Sequence, residues 1–451
     1  MNEQLRDKPM FSNRDLVNLT IPLIFDSLLA IAAGLIDSVM VSSAGVAAVS
    51  GVSLVASLSL LFTVTFNAIA AGGVVVTSQY LGNGDTEKAR MSANQLVYMA
   101  LTVSMLLTAF LIFFYGDILK FVFGSIEEDV YNNSKTYLFW ILLGYPFLAV
   151  GNCCTALLRS MRKNHISVIL TSSFNVLNVI GNAVLIYGLK LGVAGAAIST
   201  TISRIVFAVG GLVILHNKEL PVHFSKLWKM RFDLDILKRV CIIGGGNGIE
   251  NGFFQLGRLL VARLVSSLGT VMIAANSIST TINNIGWVII CAFSTALLPI
   301  AGQCMGAGRP DEAESITKKM LAFAMVTTVV LFSAIFFLRN QLVRIYSLTP
   351  EEFEVMAHFT GVGALLTIVG FYPHSTIPVA TFRAAGDTKY SLVLTTSTMF
   401  IFRVGLAYLL SGYFGLGLYG IWIGMAADFG SRSVINTIHL KRGKWKQRKV
   451  I

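Results

Sequence analysis

Apolar residues in this chain gather into runs of about 20, each long enough to cross the roughly 30 Å hydrocarbon core of a bilayer. About twelve such runs follow one another, near 16–41, 46–80, 92–115, 131–158, 166–187, 193–216, 240–267, 270–303, 319–339, 354–381, 390–411 and 418–440. Polar residues are confined to the short gaps between them. The pattern predicts an all-α integral membrane protein of twelve transmembrane helices. Six runs fall on each side of a polar stretch at 217–239, which divides the chain into a six-helix lobe at 1–216, a linker at 217–239 and a second six-helix lobe at 240–451. No extramembrane domain is left over.

The two halves are diverged copies. Val41-Ser-Ser-Ala-Gly45 returns as Val265-Ser-Ser-Leu-Gly269, Gln79-x-x-Gly82-x-Gly84 returns as Gln303-x-x-Gly306-x-Gly308, and Arg159 returns as Arg383, each 224 positions on. One match would be weak, but three in a common register are strong. With six spans per repeat, the copies cross the membrane in the same sense. They predict two pseudo-symmetric lobes about an axis along the membrane normal, with a cavity between them, as in secondary transporters. The glycine-rich loops read as tight turns. They lack the Gly-Lys-Ser/Thr of a phosphate-binding loop, which argues against ATP coupling.

Composition agrees with the pattern. Mean hydropathy is +0.71, and charged residues make up 13% of the chain, against roughly 25% in soluble proteins. The net charge of +12 is one-sided. Arg14, Arg90, Arg162, Lys163, Arg239, Lys389 and the tail from Lys441 lie on the side that holds both termini, while the opposite loops carry only Lys120, Lys135, Lys190, Arg339 and Arg344. The positive-inside rule therefore places both termini in the cytoplasm of a multi-pass inner (plasma) membrane protein. The basic excess is topology, with an attraction to anionic membrane lipid, and not a nucleic-acid surface. Five cysteines in or beside the spans read as packing residues. The first run, opening after Arg14 and carrying Asp26 and Asp37, reads as a retained helix and not a signal peptide.

An ionisable group inside the membrane costs several kcal/mol unless it is paired or wetted, so each is a functional candidate. The spans carry the acids Asp26, Asp37, Glu250 and Asp428 and the arginines Arg204, Arg258, Arg263, Arg403 and Arg432. Asp37 breaks the repeat, since Val261 stands 224 positions on; Asp26 and Glu250 keep it. That retained pair is read either as an ancestral structural device, such as a cap or interlobe pair, or as a relay. Asp428 and Arg432 are four apart and read as a helical ion pair. Arg263 lies near a membrane surface and reads as a snorkelling side chain. Arg258 and Arg403 lie deeper and are expected to find Glu250 or Asp428. Pro22 removes the bond to the Asn18 carbonyl and should kink the first helix fifteen residues before Asp37. Phe66, Phe253, Phe254, Trp287, Phe293 and Tyr372 are candidate π-faces for a cationic substrate. His374 is a weak proton-shuttle candidate.

Several motifs resemble the multidrug and toxic compound extrusion (MATE) family: Gly34-Leu-Ile-Asp37 with the Ser-Ser-Ala-Gly turn, Gln79-Tyr-Leu-Gly-Asn-Gly84, Phe382-Arg-Ala-Ala-Gly-Asp-Thr388 and Gly420-Ile-Trp-Ile-Gly-Met-Ala-Ala-Asp428. The resemblance runs over the whole chain. It implies alternating access and export of small amphipathic or cationic compounds in exchange for Na⁺ or H⁺, by a monomer with no enzymatic chemistry and no cofactor beyond the coupling ion. By the same resemblance Asn178, Asn182 and Thr200 join Asp37 in a cation site, which is the one place where a Na⁺ ion is expected. Asn178 and Asn182 share a helix face. Asn182 stands where many members carry an acid, so the choice between Na⁺ and H⁺ stays open. The resemblance also links bending at the Pro22 interval to cation binding, making Pro22 a hinge candidate. A C-lobe acid expected near Phe253 or Tyr372 is missing. The competing reading is a flippase for a lipid-linked oligosaccharide or polyprenyl phosphate, favoured by the arginines of the second half. An intramembrane enzyme is disfavoured, because no nucleophile–base or metal constellation occurs.

Overall fold

The computed structural model describes residues 9–124, 127–224, 232–346, 348–448 and 450–451, with only the backbone of Phe123. The middle of the linker (225–231, with Lys226, Lys229 and Arg231) lies outside the described residues, as do Arg6, Lys8 and Lys449.

All regular structure among the described residues is helical. The first repeat comprises α1 (Asn13–Ser42), α2 (Val46–Gly82), α3 (Thr86–Phe123), α4 (Glu128–Ser160), α5 (Asn164–Asn182) and α6 (Gly192–Leu215). The second comprises α7 (Leu234–Ser266), α8 (Thr270–Gly306), α9 (Pro310–Val343), α10 (Pro350–Val369), α11 (Tyr372–Ala384), α12 (Thr388–Thr398) and α13 (Gly417–Arg442). Among the described residues, ten helices are long and apolar enough to span a bilayer by length and composition. The twelve-span, two-lobe layout of an integral membrane protein follows when α10 and α11 are taken as one interrupted span and α7 and α13, with their polar residues, as spans in their own right. The turns repeat as the sequence does. Gly45 and Gly269 adopt φ of 103° and 92°, and Gly84 and Gly308 adopt 80° and 69°. A side chain at these positions would be strained, which explains why both copies keep glycine.

Two departures from regular α-helix matter for function. The run expected as one span at 354–381 is broken: Phe371 sits in the left-handed region at φ 50°. Pro373 follows at the start of α11, and Pro378 lies inside it. Each proline removes a backbone donor, freeing a carbonyl one turn earlier. Asn436 of α13 satisfies the carbonyl freed by Pro378, donating to His374 O at 3.2 Å and Ser375 O at 3.1 Å. Ser433 lies one turn before it, with its hydroxyl 2.9 Å from the Phe371 carbonyl. Hydropathy is blind to this break because both sides of it are apolar. The second departure is π-helical. Ala183–Gly188 continue α5, and Met399–Leu406 and Leu409–Tyr413 continue α12, at related places in the two repeats.

Contacts divide the chain into two compact units. Ile21–Gly248 form one; the residues up to Thr20 with Ile249–Val450 form the other. The boundaries fall inside α1, next to Pro22, and inside α7. Within the first unit α2 and the start of α7 approach backbone to backbone. A Cβ on Gly72 would lie 2.5 Å from the Val240 carbonyl oxygen, and one on Gly244 would lie 2.8 Å from the Ala68 carbonyl. Small residues at such contacts are how membrane helices gain close packing.

Candidate functional site

Asp37 lies on α1 with Asn178 and Asn182 of α5 and Thr200 of α6. Asn182 donates to one of its carboxylate oxygens. The side-chain amide of Asn178 is 2.9 Å from both of them. With its NH2 toward Asp37, that amide donates to the carboxylate, and its carbonyl accepts from Thr200 Oγ1 at 3.0 Å. Turned over, the NH2 donates to Thr200 Oγ1 and the carbonyl faces the carboxylate. Two acceptors so close are satisfied only by a proton on Asp37 or a cation between them. Asn178 and Asn182 are buried, and the amide oxygen of Asn182 has no hydrogen-bond partner among the described residues. Ser199 Oγ ties the cluster to the α5 backbone, donating to the Asn178 carbonyl at 2.8 Å.

The structure thus brings together all four residues expected at this site and adds one. Tyr137 of α4 hydrogen-bonds Thr200 and stands near both Asp37 and Arg204. It passes in the sequence for an ordinary packing aromatic, and nothing in the local pattern singles it out. Arg204 is buried without an acid partner among the described residues; it donates to the Ile141 carbonyl at 3.2 Å and lies over the Tyr145 ring at 5.4 Å.

The other three acids are each tied to arginine. Asp26 accepts from Thr171 and lies 3.5 Å from Arg159 Nη2, whose Nε donates to Ser167 at 3.1 Å. Glu250 accepts from Arg383 at 2.8 Å and from Ser391 at 2.7 Å. Arg383 Nε in turn reaches Ser391 at 3.3 Å, and Thr395 hydrogen-bonds the same carboxylate. Asp26, Arg159, Ser167 and Thr171 map position for position onto Glu250, Arg383, Ser391 and Thr395. Each tetrad lies wholly within its own unit.

Asp428 is fully buried and held by two arginines. Arg432 donates to both its oxygens at 2.7 and 2.9 Å, and Arg403 approaches at 3.1 Å. Arg403 therefore finds the expected partner, whereas Arg258 does not. Its side chain is exposed and makes no ion pair among the described residues. The aromatic candidates separate in the same way. Phe66 and Phe293 are buried; Phe66 packs edge-on to Tyr145 at 5.8 Å, so neither offers an open π-face. Phe254 already faces Arg403 at 5.2 Å. Trp287 and Tyr372 join Phe429 in one cluster, with Tyr372 4.8 Å from Phe429. Phe253 is half-exposed beside Phe400.

A duplicated set of membrane-spanning helices, with Asp26, Glu250 and Asp428 neutralised by arginine and Asp37 without an ion pair among the described residues, defines a membrane transporter. The chain belongs to the MatE family, whose model matches residues 22–184 and 248–409, one stretch in each repeat. A probable multidrug resistance protein NorM from Thermotoga maritima is 25% identical over 451 residues, covering 97% of this chain and 94% of that one. A MOP superfamily transporter from Pyrococcus furiosus, described as having a binding pocket of reverse polarity that suggests a different function, superposes with a TM-score of 0.88 at 19% identity, covering 95% of each chain. A MATE structure in a bent conformation gives 0.87 at 19% identity, covering 95% of this chain and 94% of that one.

Proposed function

We propose that the protein is a multidrug exporter of the plasma membrane, with both termini cytoplasmic, that couples efflux of amphipathic or cationic compounds to entry of Na⁺ or H⁺ by alternating access. The observation that carries this reading is the isolation of Asp37. Asp26, Glu250 and Asp428 are each neutralised by arginine. Asp37 is surrounded by amides and a hydroxyl and makes no ion pair among the described residues. A carboxylate inside the membrane without a fixed counter-charge calls for a mobile one. One carboxylate, two amides and a hydroxyl suit a hard monovalent cation or hold a protonated acid equally well. Arrival of the ion turns the Asn178 carbonyl toward Asp37, and its departure turns the amide back. Pro22 provides the compliant point on the same helix, and bending there closes the pocket around the occupied site. Inward movement of one cation down 100 mV supplies about 2.3 kcal/mol before any concentration gradient.

Drug efflux in everted vesicles tests this reading, with Na⁺ and pH gradients imposed separately. Wild type responds to one gradient, which names the ion; Asp37→Asn loses the response and Pro22→Ala weakens it. Uphill efflux that persists in Asp37→Asn refutes the assignment.

A second reading, a flippase for a lipid-linked oligosaccharide or polyprenyl phosphate, is favoured by one observation. Asp428 faces two arginines, and Nη2 of Arg403 has no hydrogen-bond partner among the described residues, so this buried cluster keeps a positive charge. Transport of a polyprenyl phosphate that fails in Arg403→Gln, with no drug efflux by wild type, would favour the flippase.

A further inference from the structure

A groove of about 990 Å³ runs along α12 from its N-terminal end to Phe402 in the π-helical segment beyond it. Its lining steps down the helix at 389–390, 393–394, 397–398 and 401–402, a spacing of four that marks one face. That run measures about 18 Å at 1.5 Å per residue. The opposite face of α12 is turned inward. Ser391 donates to Glu250, Met399 packs on Gly257 of α7, and Arg403 reaches Asp428. The groove face is therefore directed away from α7, and Val393 and Ile401 are 63% and 61% exposed on it. In a membrane protein such a face meets lipid.

The two ends of the groove differ in chemistry. Lys389, Lys444 and Arg448 line the end at the start of α12, on the basic side of the membrane. The acid there, Asp387, is engaged by His439 at 3.0 Å and by Arg448 at 3.6 Å. Lys389 and Lys444 make no ion pair among the described residues, so their charges are surplus. Deeper, the walls are mostly apolar: Val393, Ile401 and Phe402. A cationic mouth above about 18 Å of apolar trench matches one kind of molecule, with an anionic head and a hydrocarbon chain. A free phosphate would use only the mouth, and an uncharged lipid only the trench.

We propose that this groove is a binding site for an anionic glycerophospholipid, its phosphate between Lys389 and Lys444 and one acyl chain along α12. The chain passes Thr398, whose hydroxyl accepts from Arg432 Nε at 2.8 Å. The lipid thereby packs against the wall that holds the Asp428 cluster.

Native mass spectrometry of the full-length protein in detergent reads this, titrated with dioleoyl phosphatidylglycerol or dioleoyl phosphatidylcholine. Each unpaired lysine near a headgroup is worth about a fivefold gain, so wild type should prefer phosphatidylglycerol by about 25-fold. The double variant Lys389→Gln, Lys444→Gln should bind both lipids alike. Lys389→Arg with Lys444→Arg should keep the preference, separating loss of charge from loss of fold. Val393→Trp should weaken both lipids by filling the trench. An unchanged preference in the double glutamine variant, unchanged binding in Val393→Trp, or displacement of phosphatidylglycerol by millimolar inorganic phosphate would each overturn the proposal.

Discussion

Removing Arg383 should destabilise the protein far more than removing its repeat partner Arg159. Arg383 Nη2 stands 2.8 Å from Glu250, whose side chain is 9% exposed, whereas Arg159 stands 3.5 Å from Asp26, whose side chain is 16% exposed; the two arginines are similarly exposed. At an effective dielectric near 20, unit charges about 4 Å apart attract by about 4 kcal/mol. Taking away one member of a buried pair leaves the other charge stranded, at about 3–5 kcal/mol. Arg383→Gln should therefore lower Tm by roughly 3–5 °C, because an unfolding entropy of about 2 cal/mol/K per residue makes 1 kcal/mol worth about 1 °C in a chain of this length. Glu250→Gln in the Arg383→Gln background should restore at least half of the loss, because the stranded charge is gone. The same cycle on Asp26 and Arg159 should show a coupling of about 1 kcal/mol, nearer to that of exposed pairs. Thermal unfolding in one detergent, followed by tryptophan fluorescence, measures all of these variants. Additive losses in the Glu250–Arg383 cycle, or a larger loss from Arg159→Gln than from Arg383→Gln, would refute the reasoning from distance and burial.

Two further outcomes are expected. Gly72→Ala places a methyl group 2.5 Å from the Val240 carbonyl and should cost about 1–3 kcal/mol; Gly34→Ala, which meets nothing within 4 Å, should leave Tm unchanged, and equal effects would exclude a steric cause. Lys446, outside the spans, donates to Asp311 at 2.7 Å and pairs with Glu314; these bonds raise its pKa above the ordinary lysine value. Stability from a raised pKa is fully present below the unfolded value and lost as pH rises through the folded one. Wild type should exceed Lys446→Gln by a constant margin of about 0.5–1 kcal/mol from pH 7 to 10, converging above that; a margin that grows with alkalinity would contradict the assignment.

The sequence was most legible where hydropathy and repetition act. The spans, the repeat register and the glycine turns at 45, 84, 269 and 308 follow from patterns that every copy must satisfy. The Asp37 cluster was reached through family likeness at Asn178, Asn182 and Thr200, and the structure brings those residues together. What stayed hidden was partnership between helices. Asp26 and Arg159 were both visible, each in register with its counterpart, yet nothing in the spacing says that they touch or that Ser167 and Thr171 complete the group. Arg258 has no ion-pair partner among the described residues, and its depth along the span does not foretell this, because depth says nothing about which side chains neighbouring helices bring to it. Tyr137 escaped because its role depends on Thr200 and Asp37 approaching it from other helices. The break before Tyr372 was written in Pro373 and Pro378, a signal that an apolar average smooths away.

The twin tetrads also bear on how such a chain can come to exist. Asp26 with Arg159, and Glu250 with Arg383, each settle their charges without help from the other half. An ancestral six-helix segment with this arrangement would have been electrostatically complete before any fusion joined two of them. Duplication then left one copy free to explore. At the position where the first half carries Arg204, the second carries Asp428, and where the first carries Asp37, the second carries Val261. Matched positions thus carry opposite signs, and of the four acids Asp26, Asp37, Glu250 and Asp428 only Asp37, in the first half, has no arginine partner among the described residues.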